Sequence, residues 1–175
     1  MQKFQRFAMV IEDGYHAENA CNYHSFVPFP CFSLTTPLDH NAIHAADVLH
    51  AVSHLVSRER IKAFATPFDI LCLFVGAMIH DHDHPALTNV FLVKTQDPLA
   101  ILYNDKSVLE NHHAATGLTQ LLKPENNFLS HFTPENFKAF RDLTIDIVLA
   151  TDLSQHLTLL SAFKQKVCSC SSQVF

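Results

Sequence analysis

TPFDILCLFVGAMIHDHDHP, residues 66–85, is the stretch on which the fold turns. Thr66 offers a capping hydroxyl, Pro67 suits the first helical position, where its missing N–H is no loss, and Asp69 brings an acid into the first turn. The apolar run that follows, residues 70–79, is far shorter than the roughly 20 residues a membrane crossing needs, so it reads as a helix buried in a protein core. Its burial would carry His80 and Asp81 to the edge of that core. Ionisable groups are placed there when paired or metal-bound. His82, Asp83 and His84 follow and Pro85 ends the segment, so five adjacent residues all offer metal-ligating atoms. A solvated turn is the competing reading of these five.

Working outward, Thr133, Pro134 and Glu135 repeat the opening device. The segment they begin, residues 134–150, spaces Phe137, Phe140, Ile145, Val148 and Leu149 at helical intervals. Residues 39–60 and 153–167 run without proline or glycine, and residues 106–122 are read as helical too. Five substantial helices with short connections make an all-α, compact multi-helix domain. Composition agrees: three glycines against fifteen phenylalanines do not suit the many tight turns of a β-sandwich. At 175 residues, 48% hydrophobic and 17% charged, the chain has the length and apolar content for one domain with a proper core. We assign that domain to residues 1–166. Residues 20–36, with Pro28 and Pro30 among Phe26, Phe29 and Phe32, show no clean period and read as an inserted loop. Residues 167–175 read as an irregular tail.

A net charge of −5, without a basic stripe, makes nucleic acid a poor partner. The N-terminal MQKFQRFAMVIEDGYH has no apolar stretch of signal-peptide length, and the five cysteines are odd in number and form no CxxC pair. A cytoplasmic chain with reduced thiols and no membrane span is expected.

The chemistry begins with DHNAIHAADV, residues 39–48. His40 and His44 are four apart on an expected helix and project from one face, with Asp47 one turn beyond. They can share a site, although a surface histidine pair has the same spacing. Neutral imidazoles suit zinc whereas carboxylates and water suit magnesium or manganese, so a mixed set implies two unlike cations. In such a site a bridging carboxylate, here Asp81, holds the ions about 3.5–4 Å apart and water is activated for attack on phosphorus. The departing alkoxide needs a proton, which a histidine outside the coordination shell can give near neutral pH, and His40 fits that role. Glu110, beside Asn111, His112 and His113, is the carboxylate expected to orient a histidine ring.

At these residues the sequence resembles the catalytic domain of the class I 3′,5′-cyclic nucleotide phosphodiesterases. It matches their HNxxHAxDV segment at residues 40–48 and their HDxDHP segment at residues 80–85. NVFLVKTQDPLAILYNDKSVLENHHAA at residues 89–115 and TDxSxH at residues 151–156 complete the match, in the family's order and spacing, from residue 37 to about 166. The resemblance implies hydrolysis of cyclic AMP or cyclic GMP to the 5′-monophosphate in cyclic nucleotide signalling, on an all-α domain. It makes His40 the proton donor and gives the tighter metal, usually zinc, to His44, His80 and Asp81, with Asp81 also reaching the second ion, usually magnesium. His84, Glu110 and Thr151 would line the water shell of that second ion, and Glu110 would also orient His40. Asn89 and Asp152 match without a defined role. Asp47 is read as a helix-stabilising partner, His112 and His113 as a structural pair bonding backbone or carboxylate groups, and His82 as exposed. His16, His24, His50, His54, His131 and His156 are read as surface or satisfied core residues.

The chain departs from the pattern in three ways. Asp39 replaces an aromatic residue and Ala86 replaces a glycine; an acid beside His40 favours its protonated form. Joining Asn19 directly to Pro37 would leave a continuous family-like stretch, which marks residues 20–36 as extra, either an untrimmed intervening sequence or an inserted loop. The family's remaining zinc ligand, a downstream aspartate, and its purine-gripping glutamine and aromatic clamp have no counterpart here, so these residues alone are expected to give little turnover. Two rival readings follow: a non-catalytic remnant that binds metal weakly or pairs with a full-length relative or another copy of itself, and a different phosphohydrolase with a His and HD metal core.

Overall fold

The computed structural model describes residues 1–16 and 41–171, so the insertion expected at 20–36 lies outside the described residues. In chain order the helices are α1 (Gln2–Asp13), α2 (Ala42–Val56), α3 (Glu59–Lys62), α4 (Pro67–Ile79), α5 (Asn89–Lys94), α6 (Pro98–Leu102), α7 (Val108–Leu122), α8 (Pro134–Leu149) and α9 (His156–Ser171). A 3₁₀ turn at Leu153–Gln155 precedes the last of these. No strand occurs among the described residues, and none of their helices is long and apolar enough to cross a membrane.

The local signals act as expected at α4. Asp69 N–H donates to Thr66 Oγ1 at 3.2 Å while Asp69 Oδ2 accepts from Thr66 N–H at 2.8 Å, a reciprocal capping box in front of Pro67. Thr133 likewise caps α8 by accepting from Asn136 N–H at 3.2 Å. The helix expected over residues 39–60 is shorter. Asn41 Oδ1 takes the amides of Ile43 and His44 and so starts α2 at Ala42, while Ser57 Oγ donates to His54 O and the chain breaks into the separate turn α3. At the far end of the described residues, α9 runs from His156 to Ser171.

Helix α4 is the central element, packed by α2, α7, α8 and α1. Its Cys72, Val75 and Ile79 meet Phe7 and Ile11 of α1, Ala114, Leu118 and Leu121 of α7, and Phe140 and Val148 of α8 in one buried cluster. A smaller cluster of Leu92, Ala100, Val108 and Leu109 joins α5 and α6 to the start of α7. Gly117 sets how closely α7 lies against α4, because a Cβ there would stand 2.7 Å from Ile79 Cβ. That approach brings the α7 face bearing Glu110 and His113 against the end of α4, where the His–Asp run begins.

Candidate metal centre

The last carbonyls of α4 are each taken, and by residues that matter for the site. His80 Nδ1 donates to Ala77 O at 2.8 Å, Tyr15 Oη donates to Met78 O at 3.0 Å, and His82 N–H donates to Ile79 O at 3.1 Å. The first of these fixes the tautomer of His80: with its proton on Nδ1, Nε2 is left as a lone pair. That lone pair faces His44 Nε2 at 3.2 Å and Asp81 Oδ2 at 3.1 Å, and His44 Nε2 lies 3.3 Å from the same Asp81 oxygen. Two imidazole nitrogens and a carboxylate oxygen thus form a triangle with sides of 3.1–3.3 Å. A tetrahedral zinc bound at 2.0–2.1 Å keeps its ligands about 3.3 Å apart, so the triangle has the size of one tetrahedral face. Burial opposes charge on His80, but the hydrogen bond and charge of Asp81 and the Ala77 carbonyl outweigh it and hold its pKa above the ordinary imidazole value. The cluster therefore attracts a cation, whether proton or metal.

Asp81 has a second side. Its Oδ1 lies 3.9 Å from His113 Nε2, and Asp81, His84 and His113 form a further group of close ligand atoms, all three residues buried. His113 Nδ1 donates to His82 O at 2.7 Å, which leaves its Nε2 as an acceptor, and burial pushes its pKa down to about 4, so the ring stays neutral. His84 stacks on His113 with ring centroids 5.2 Å apart. Its Nδ1 accepts from Ala86 N–H at 3.0 Å, so a neutral His84 carries its proton on Nε2. Both groups set two imidazoles beside an Asp81 oxygen; the first is closed down to tetrahedral dimensions, and the second is wider, with 3.9 Å between Asp81 Oδ1 and His113 Nε2.

Glu110, in the first turn of α7, is half-buried and accepts from Asn89 Nδ2 at 2.9 Å. Burial raises its pKa above the ordinary value against the pull of that hydrogen bond, and the charges of Asp152 and Asp81 add to the rise. Asn89 also accepts from Leu109 N–H at 2.8 Å, so one amide of α5 both caps α7 and orients its acid. Asp152 accepts from Ser107 Oγ at 2.7 Å, which ties the turn after α8 to the start of α7. Thr151 Oγ1 donates to Val148 O at 2.7 Å at the end of α8.

The structure therefore brings together His44, His80, Asp81 and His84, with Glu110 in the field of Asp81. His40 and Asp39 lie outside the described residues. His112 and His113 make the expected bonds, His112 Nε2 to Asp83 Oδ2 at 2.8 Å and His113 to the His82 carbonyl, yet His113 also belongs to the second group of ligand atoms. Its position three residues after Glu110 puts it on the same helical face, a signal the sequence offered. The expectation of an exposed His82 is corrected: only 3% of it is accessible. Its Nδ1–H donates to Thr116 Oγ1 at 3.0 Å, and burial pushes its pKa down to about 4. The room for it comes from Gly14, whose missing Cβ would lie 2.1 Å from His82 Nε2.

Solved structures of the phosphodiesterase domain of the Salpingoeca rosetta rhodopsin phosphodiesterase superpose with a TM-score of 0.76 at 30% identity, covering 94% of this chain and 44–45% of theirs. Among curated relatives, a probable 3′,5′-cyclic phosphodiesterase pde-3 of Caenorhabditis elegans and a 3′,5′-cyclic-AMP phosphodiesterase 4C of Rattus norvegicus are each 40% identical, over 77% and 83% of this chain. The chain spans about a quarter of the length of those relatives, 24% and 25%. The model of the 3′5′-cyclic nucleotide phosphodiesterase family matches residues 39–174, and with the His–Asp arrangement above it places the chain in that family.

Proposed function

We propose that this chain supplies the metal-binding face of a cytoplasmic enzyme that hydrolyses a 3′,5′-cyclic nucleotide, cyclic AMP or cyclic GMP, to the 5′-monophosphate. The observation that carries the reading is the shared carboxylate: Asp81 turns Oδ2 to the His44–His80 pair and Oδ1 toward His113. His44, His80 and Asp81 would hold zinc; Asp81 would share a magnesium or manganese ion that keeps water contacts to His84, Glu110 and Thr151. When bound, the cations supply charge neutralisation for the phosphodiester and a lowered pKa for water. Hydrolysis joins the oxygen of water to phosphorus and breaks the bond from phosphorus to O3′, which must then take up a proton. That proton is assigned to His40, with Glu110 as its orienting carboxylate. The Nε2–H of His84 would direct a hydrogen bond at water or phosphate oxygen, and neutral His113 would accept one.

The test is zinc content together with hydrolysis of cyclic AMP and cyclic GMP in the presence of magnesium, on the purified 175-residue chain. One zinc per chain is expected. Asp81→Asn should weaken zinc retention at least about 10-fold and remove any turnover. Zinc retention or hydrolysis that survives this substitution would contradict the proposal.

A further inference from the structure

We propose that Tyr15 is a positioning residue of the metal centre: its hydroxyl, set between Met78 O and Asp81 N–H, fixes the turn that presents Asp81 to both groups of ligands. This rests on the metal-centre reading above but concerns a residue outside the stretch 39–174 that the family model matches. Tyr15 follows Gly14, the C-cap of α1, and is 5% exposed. Its Oη donates to Met78 O at 3.0 Å and accepts from Asp81 N–H at 3.3 Å. A single atom that both donates and accepts is needed there, because a helix ending at Ile79 leaves late carbonyls and the following amides without intrahelical partners. Burial, and after it the charge of Asp81, raise the phenol pKa further above its ordinary value, so the group remains a neutral O–H.

The neighbours of Tyr15 hold the same loop. Gly14 O accepts from Asp83 N–H at 3.0 Å, and His16 Nε2 pairs with Asp83 Oδ1 at 3.0 Å. The His82 ring packs edge-on to Tyr15, centroids 6.2 Å apart, in the space left by Gly14. The corner after α1 therefore grips residues on both sides of Asp81, and only the phenol contacts the backbone of Asp81 itself among these bonds. Phenylalanine at position 15 would keep the ring and lose the bridge. The carboxylate would then swing on a looser turn, and the 3.1 Å and 3.3 Å edges it makes with His80 and His44 would no longer be set before a cation arrives.

The experiment is a competition titration of zinc against a chromophoric chelator, on the full chain and its Tyr15→Phe and His44→Ala variants, with thermal midpoints recorded with and without zinc. Tyr15→Phe is expected to weaken zinc about 10–100-fold and to lower the zinc-loaded midpoint more than the metal-free one. Equal lowering of both midpoints with zinc affinity within twofold of the parent would make Tyr15 a structural clamp and overturn the proposal. Zinc affinity untouched by His44→Ala would overturn the metal centre, and this inference with it; loss with His44→Ala but not with Tyr15→Phe would overturn this inference alone. If Tyr15→Phe does not fold, amide exchange in the parent chain decides. Asp81 N–H should then exchange as slowly as the interior amides of α4, and exchange at the rate of an unprotected amide overturns the bridge.

Discussion

Ala86 stands at φ 58°, in the left-handed region where a Cβ crowds the following carbonyl. Asp83, in the same loop, has φ 60°, but a short polar side chain tolerates that conformation better than a methyl group does. The glycine expected at position 86 from the family resemblance thus has a conformational reason, and alanine carries strain beside His84, whose Nδ1 its amide serves. Ala86→Gly should relieve that strain, offset in part by the greater freedom of glycine in the unfolded chain. The net expectation is a gain of about 0.5–1 kcal/mol, read by urea unfolding, with zinc affinity unchanged. A variant no more stable than the parent would mean that the loop does not hold the left-handed turn.

At the scale of elements, Asp152 carries the bond between the end of α8 and the start of α7. It is buried, and burial works against its charge, but hydrogen bonds from Ser107 and Ser154 outweigh burial and hold its pKa below the ordinary 3.8. A carboxylate lowered on folding contributes stability above its unfolded pKa, and that contribution is lost as pH falls through the lower folded value. Asp152→Asn should therefore cost about 1–2 kcal/mol at pH 7, the worth of hydrogen bonds to a charged acceptor, with the difference from the parent shrinking below about pH 4. Urea unfolding from pH 7 to pH 3 checks it, and a difference constant across that range would contradict the assignment. The long helices were legible in the sequence because their signals are local: Thr66, Pro67 and Asp69 lie within one turn, and Phe137, Phe140, Val148 repeat on one face. Helix α1 carries a weak sequence signal, since its buried face amounts to Phe7 and Ile11. The short α5 and α6 carry little periodic signal, being one or two turns held by caps at Thr88 and Asp97. The ligand run at 80–84 was readable as chemistry, whereas the burial of His82 depends on Gly14, and the part of Tyr15 depends on α1 folding back onto α4. Contacts between segments so far apart in the chain leave no periodic trace.

The molecule as a whole assembles its site from three places: α2 brings His44, the loop after α4 brings His80, Asp81 and His84, and α7 brings Glu110 and His113. The buried core around Ile79 and Gly117 fixes how α4 and α7 meet, and the capped end of α4 fixes where the loop starts. Zinc proposed for this convergence would be held by imidazole and carboxylate, although the chain also holds five cysteines. X-ray absorption at the zinc edge of the zinc-loaded 175-residue chain tests it most directly. Nitrogen and oxygen neighbours at about 2.0–2.1 Å are expected, with the outer-shell signature of imidazole, diminished in His44→Ala. A sulfur neighbour at about 2.3 Å, or an imidazole signature that His44→Ala leaves unchanged, would contradict it.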